Sequence, residues 1–362
     1  MAPNPLQQLQ HLGQSVWLDS IRRSYLTQDG YLRRLIAAGE IDGLTSNPTI
    51  FEGALGDDPA YAEQLSQLRG ANPREAFWQL ITADVRGACD AFLPLYESSG
   101  GTKGFVSIEV DPAKAFDTEE TVAEGLDLFN TLDRPNLMVK VPGTEPGVPA
   151  ITRLLAEGVN VNVTLLFSVA RYTAVAQAYL EGLRRRAEAG GDLSAVASVA
   201  SFFVSRVDGK VDAVLGDDSP KLATAGIANA RVAYGSFQRI FGGPEFAELA
   251  DQGARVQRPL WASTSTKNPA LSDVLYVEEL AGPDTVNTMP EATLEATRDH
   301  ATVEDRLSGA ALQARDQLDH LAEDGVDLAQ ITKELEADGV EKFVTSFEAA
   351  VETVAGHIRE PR

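Results

Sequence analysis

The sequence predicts a (β/α)8 TIM barrel of the α/β class. Eight short apolar or β-branched runs alternate with helix-like segments, which means parallel pairing through helical crossovers, and eight is the number that closes a barrel. The runs are apolar at most positions, as strands covered on both faces are. An open doubly wound sheet is the rival fold. It would favour a glycine-rich GxGxxG after the first strand, and the segment LDSIRRS at 18–24 has no glycine.

A helix precedes the first strand, SVWLDS at 15–20, and GYLRRLIAAG at 30–39 follows it as a helix. The second strand lies in IDGLTSNP at 41–48, before a long acidic helical stretch from 58 to 98. GFVSIEVDP at 104–112 reads as strand three, with TEETVAEGLDLFNTL at 118–132 as its helix. Strand four is NLMVKVPG at 136–143, closed by Pro142 and Gly143, and its helix is PGVPAITRLLAEG at 146–158. Strand five, VNVNVTLLF at 159–167, precedes a helix at 168–191, and strand six, VASFFVSRVD at 199–208, precedes one at 220–241. RPLWASTSTKNP at 258–269 is strand seven, and Asn268-Pro269 is an N-cap and first-turn pair that predicts a helix over 268–282. DTVNTMP at 284–290 is strand eight. Beyond it, 302–325 and 328–358 form amphipathic helices whose charges mark solvated faces. The expectation is a single barrel domain over 1–362, with strands in about 15–290 and a C-terminal helical extension over about 291–362. These extra helices account for the excess over a typical barrel of roughly 250 residues.

Composition narrows the function. The 362 residues carry 31 basic and 53 acidic side chains, a net charge of −22. So acidic a chain argues against nucleic acid or an anionic membrane as partner, while leaving room for a small anion held by a local cluster of cations. The one cysteine, Cys89, forms no internal disulfide, fits a reducing cytoplasm, and reads as a small buried hydrophobe on a helix. No apolar run reaches the roughly 18 residues of a membrane span, and the first residues lack the basic flank and apolar stretch of a signal peptide. The four histidines have no metal-binding spacing and none neighbours a candidate nucleophile, so acid–base work falls to carboxylates; neither a metal nor a cofactor is expected.

In a barrel the chemistry sits at the C-terminal ends of the strands. Those ends carry Asp19, then Thr45, Ser46 and Asn47, then Glu109, Lys140, Asn162 and Thr164, Ser201 and Arg206, and finally Ser263, Ser265 and Lys267. Singly they have plain readings: Asp19 or Asn47 as helix caps, Glu109 as an ion-pair partner, Thr164 as a strand former. The sequon Asn162-Val163-Thr164 is discounted for a buried strand. Together they aim an amine, two carboxylates, hydroxyls and amides at one mouth, and buried polar groups are costly unless paired or used. Lys140 stands in the apolar run LMVKVP. Its stem could lie on apolar surface with the amine in water, but the constellation favours an amine kept dry as a nucleophile. A free lysine amine is neutral only about four times in ten thousand at pH 7, and desolvation raises that share.

The blocks GLTSNPTIFEGAL, VSIEVDP, LMVKVPGTEPGVPAI, GVNVNVTLLFS and ASFFVSRVDGKVD resemble, in order and spacing, the signature blocks of the transaldolase family, and TSTKNP with the extra helices resembles its longer bacterial branch. The resemblance covers about 15–290. It implies a class I aldolase-like barrel that transfers a dihydroxyacetone unit from sedoheptulose 7-phosphate to glyceraldehyde 3-phosphate, in the non-oxidative pentose phosphate pathway, giving erythrose 4-phosphate and fructose 6-phosphate. It implies that Lys140 forms the Schiff base, that Asp19 is the acid–base group at the bond that breaks, and that Glu109 and Thr164 handle the water of imine chemistry. Asn47 and Asn162 would hold substrate hydroxyls, with Thr45 and Ser201 beside them. Arg206, Ser265 and Lys267 would grip the phosphate, with a lysine at 267 where an arginine is common in the family. Phe203 stands where the aldolase branch carries tyrosine. The alternatives are a fructose-6-phosphate aldolase of the same fold, a non-catalytic sugar-phosphate-binding protein, which would be expected to lose Lys140 or a carboxylate, and a scaffold whose C-terminal helices bind a partner. The partners expected are small sugar phosphates.

Overall fold

The computed structural model describes residues 2–216 and 218–359. The chain runs α1 (Pro5–Leu12), β1 (Gln14–Leu18), α2 (Tyr31–Ala37), β2 (Gly43–Leu44), α3 (Pro48–Asp57), α4 (Ala62–Gln67) and α5 (Pro73–Ser98). It continues with β3 (Phe105–Glu109), α6 (Thr118–Leu132), β4 (Leu137–Pro142), α7 (Gly147–Ala156), β5 (Val161–Leu166), α8 (Val169–Glu188) and β6 (Ser198–Phe203). Then come α9 (Ser205–Leu215), α10 (Ala225–Phe241), α11 (Pro244–Ala250), β7 (Arg258–Ala262), α12 (Leu275–Glu279) and β8 (Thr285–Met289), followed by α13 (Glu291–His300), α14 (Ala311–Glu323) and α15 (Leu328–Ile358). The eight strands pair in parallel in sequence order, and β8 closes on β1. The barrel expected from the alternation is the fold observed.

Alternation along β4 shows how the barrel sorts its residues. Leu137, Val139 and Val141 join the larger core cluster with Ile151 and Leu154 of α7, between barrel and helices. Met138 joins the inner cluster with Trp17, Phe105, Val199, Leu260 and Val286. With a period of two, Lys140 must point inward with Met138. The registers Glu109↔Lys140 and Lys140↔Asn162 then set three polar residues of β3, β4 and β5 side by side on the inner face.

Two sequence expectations change. The strand six segment ends at Phe203, and its last residues belong to α9, so Arg206 rides the first turn of a helix. The helix predicted from Asn268 is a loop until Leu275; Asn268 Oδ1 accepts from the Ala270 amide at 2.9 Å, a local turn that ends there. A helix start therefore does not back Lys267. Cys89 is buried on α5 as expected, and burial pushes its thiol up.

α15 leaves the ring of helices and crosses the mouth. The contact is close at Gly339, where a Cβ would lie 3.0 Å from Leu165 Cδ2. Leu165 has φ +59 at a register shift in β5, which breaks the alternation and places it in the inner cluster with Phe343. Phe347 stacks edge-on against Phe77 at 4.9 Å, and Thr49 donates to Ser346 at 2.9 Å. Arg171–Glu336 at 3.1 Å and Lys210–Asp338 at 3.0 Å tie α15 down at other points.

A close contact inside the barrel yields a test. Trp17 pairs in register with Gly43, and a Cβ on Gly43 would sit 2.4 Å from the indole of Trp17. Gly43→Ala should therefore cost about 1–3 kcal/mol through overpacking, read as a lower urea midpoint at unchanged slope. An unchanged midpoint would mean that the indole has room to move.

Candidate active site

The strand ends surround a cavity of about 280 Å³. Its walls include Asp19, Thr45, Asn47, Lys140, Thr164, Ser201, Phe203 and Arg206 from the barrel and α9, and Ser265 and Lys267 from the loop after β7. Ten of the twelve residues that the family resemblance picks out thus meet at one opening. Glu109 and Asn162 stand behind the wall. Glu109 reaches the site through the lysine. Asn162 is fully buried, its Nδ2 donating to Ser107 Oγ at 3.0 Å and its Oδ1 accepting from Ser201 Oγ at 2.7 Å. Of this hydrogen-bonded pair it is Ser201, not Asn162, that lines the cavity.

At the floor, the Lys140 ammonium lies 3.2 Å from Glu109 Oε2 and donates to the Ser46 carbonyl at 3.1 Å. Both side chains are about 95% shielded from solvent, Lys140 at 5% and Glu109 at 3% exposed. No hydrogen bond to protein satisfies either Glu109 oxygen beyond this pair. Burial pushes its carboxyl up to about 7, against the opposing pull of Lys140. Asp19 follows β1, its amide donating to the Met289 carbonyl at 2.8 Å. Its Oδ1 accepts from Thr45 Oγ1 at 2.6 Å, and Thr45 in turn meets Thr288 Oγ1 at 2.6 Å. Burial raises the Asp19 carboxyl, while Lys140, Thr45 and Arg206 oppose the rise. Asn47 caps α3, its Oδ1 accepting from the Ile50 amide at 3.0 Å, so its Nδ2 group is what remains for a ligand. Thr164 lines the cavity with a buried hydroxyl that has no partner.

The rim is cationic. The Arg206 guanidinium stacks 5.1 Å from the Phe203 ring, and Lys267 donates to Ser265 Oγ at 2.7 Å. The amide of Ser205 donates to the Ser263 carbonyl at 3.1 Å, and their hydroxyls meet at 2.9 Å, which ties the start of α9 to the loop after β7. Ser263, at φ +57, lines the cavity too. The sequence reading missed the contributions of Lys342 and Phe343 from α15 and of Thr49, Ile50 and Thr288. Phe343 lies 5.7 Å from the Lys140 amine and 6.0 Å from Arg206, within cation–π range of both. The one available signal for it was the pair Phe343 and Phe347, four apart on a long amphipathic helix.

The Glu109 carboxyl has a consequence for stability. Its folded value is raised from about 4.5 to about 7, so between those limits the folded chain holds a proton that the unfolded chain has released. Stability from this group is therefore greatest below about 4.5 and declines as pH rises through about 7. The melting temperature of the native chain should fall relative to that of Glu109→Gln across this window. Parallel melting profiles for the two proteins would contradict the assignment.

Comparison with known proteins bears on this site. The family model described as transaldolase/fructose-6-phosphate aldolase matches residues 16–354. A protein named transaldolase from Mycolicibacterium smegmatis is 48% identical over 367 residues, covering 99% of both chains. Another transaldolase, from Thermobifida fusca, is 50% identical over 97% of this chain and 98% of its own, and one from Saccharopolyspora erythraea is 50% identical over 96% of each. With a barrel whose mouth gathers the residues of that family's blocks, the chain belongs to the transaldolase/fructose-6-phosphate aldolase family.

Proposed function

We propose that the chain is a transaldolase, an enzyme that moves a dihydroxyacetone unit from sedoheptulose 7-phosphate to glyceraldehyde 3-phosphate and so yields erythrose 4-phosphate and fructose 6-phosphate. The observation that carries this reading is a buried lysine amine 3.2 Å from a carboxylate, on the floor of a cavity rimmed by cations. The relatives' name agrees with it.

The Lys140 amine adds to the ketose C2 carbonyl to give a carbinolamine. Water then leaves with a proton supplied by Glu109, whose carboxyl at about 7 exchanges protons near neutrality. The unpartnered Thr164 hydroxyl is placed to hold that water. The protonated imine draws electrons from the C3–C4 bond. Asp19 takes the proton of the C4 hydroxyl, the bond breaks, and an aldehyde departs from an enamine on Lys140. The acceptor aldehyde reverses these steps, with Asp19 returning the proton to the new alkoxide. Thr45 holds Asp19 in place. Asn47 and Ser201 offer hydrogen bonds to the bound hydroxyls, with Asn162 fixing Ser201. Arg206, Ser265 and Lys267 take the phosphate, Lys267 as a point charge rather than a fork. Because α15 walls the same cavity as the strands, residues 1–362 are read as one functional unit. Among the described residues no helix is long and apolar enough to cross a membrane, and a reducing cytoplasm suits the chain's one cysteine.

Incubation with fructose 6-phosphate and borohydride, followed by peptide mapping, should place a reduced three-carbon adduct on Lys140 and none on Lys140→Ala. An adduct on another lysine would remove the basis of the mechanism. Asp19→Asn should still trap dihydroxyacetone as an imine, because its proton transfer comes after imine formation.

Phe203 bears on transfer against simple cleavage. The enamine must outlast the wait for an acceptor, and a phenyl ring brings no proton to it. The ring packs 5.2 Å from Phe167 at the cavity wall. Phe203→Tyr adds a hydroxyl and should raise release of free dihydroxyacetone relative to transfer. An unchanged ratio of the two rates in a folded variant would reduce Phe203 to packing.

A further inference from the structure

We propose that Lys342, on α15, is a third cationic anchor for the substrate's phosphate, so that a bound phosphate also clamps the C-terminal helix across the mouth. The proposal rests on the reading of a phosphorylated substrate given above. Three observations carry it.

First, Lys342 lines the same cavity as Arg206, Ser265 and Lys267, though it lies far from them in sequence. Second, Lys342 has no ion-pair partner among the described residues, and the carboxylates nearest it by helical spacing or packing are taken by other cations. Its partner by helical spacing would be Asp338, four residues earlier, but Asp338 pairs with Lys210 at 3.0 Å, and Glu334 shares the same lysine at 3.6 Å. Glu336 pairs with Arg171 and Glu348 with Arg74. The ion pairs among the described residues include none of Arg206, Lys267 or Lys342. In a chain of net charge −22, three unpaired cations at one opening make a local positive field in a negative surround. A phosphate dianion is the chemistry that field selects. Third, the neighbouring Phe343 is 2% exposed and lies against both Lys140 and Arg206. The helix therefore holds its register over the site, and Lys342 stands at the rim with its long stem free to swing toward a ligand.

The clamp follows from the arrangement. Arg206 belongs to α9 and Lys267 to the loop after β7, which the Ser205–Ser263 contacts already join. A phosphate held also by Lys342 would link both to α15. Occupancy would then be felt along the helix as well as at the ligand.

Inorganic phosphate is the probe. In the native chain it should slow amide hydrogen exchange across residues 335–347, and chloride at matched ionic strength should not. Lys342→Met should weaken phosphate binding roughly fivefold, the scale of one partly exposed charge contact, and should remove the protection of α15 while that of the loop after β7 persists. Lys342→Arg should restore both. With a phosphorylated and a non-phosphorylated acceptor aldehyde, the ratio of their kcat/KM values should fall by a similar factor in Lys342→Met. Equal phosphate affinity and equal helix protection in the native chain and Lys342→Met, with melting temperatures unchanged, would overturn the proposal. If the chain proves to lack transferase activity yet protection still depends on Lys342, the anchor stands and the substrate reading falls.

Discussion

Everything at the mouth depends on the contact between Lys140 and Glu109 inside the barrel. Moving an ammonium and a carboxylate out of water costs several kcal/mol per ion, and their mutual attraction repays it only in part. The pair is therefore a poor choice for stability. It is held by register: parallel pairing of β3 with β4 sets Glu109 beside Lys140, and inward alternation leaves neither side chain an escape to solvent. The resulting proton sits on a carboxyl displaced to about 7 by burial, against the pull of the amine. That is the displacement proton transfer near neutrality requires.

The rest of the site is built around keeping this pair dry at one end and reachable at the other. Below it, Trp17, Phe105, Met138, Val199, Leu260 and Val286 pack together as an apolar layer inside the barrel. Above it, Phe343 of α15 forms part of the roof. The roof brings a helix close to a strand, and two local features meet there: a glycine at 339 and a left-handed Leu165 at a shift in β5. A left-handed leucine costs of order 1–3 kcal/mol, and its position next to Thr164 places that strain at the cavity wall.

The cationic side of the mouth follows a different logic. Arg206, Ser265 and Lys267 sit on a helix start and a loop, where side chains have more freedom than on a strand. The Ser205–Ser263 contacts compensate by joining the two segments, and the Phe203 ring gives the guanidinium a surface to lie on. The buried ion pair is thus fixed by strands, while the cationic rim is carried by more adaptable elements.

The sequence by itself determined the barrel, the layer of polar residues at its strand ends and the lysine among them. These are local properties. An apolar run sets a strand, a period of two sets which side Lys140 faces, and eight such runs alternating with helices favour a closed barrel over the open sheet. What the tertiary structure decided is which of those residues reach the cavity. Asn162 has the same inward register as Lys140, yet its hydrogen bonds to Ser107 and Ser201 keep it behind the wall. Asn268-Pro269 has a helix-start pattern, but the segment folds as a turn, because a cap motif states a local preference that the path between β7 and β8 overrides. The part played by α15 was beyond local reading altogether. An amphipathic helix says that one face is buried and not against what, and only the packed chain shows that this face lies across the mouth of a barrel whose lysine is about two hundred residues away in sequence.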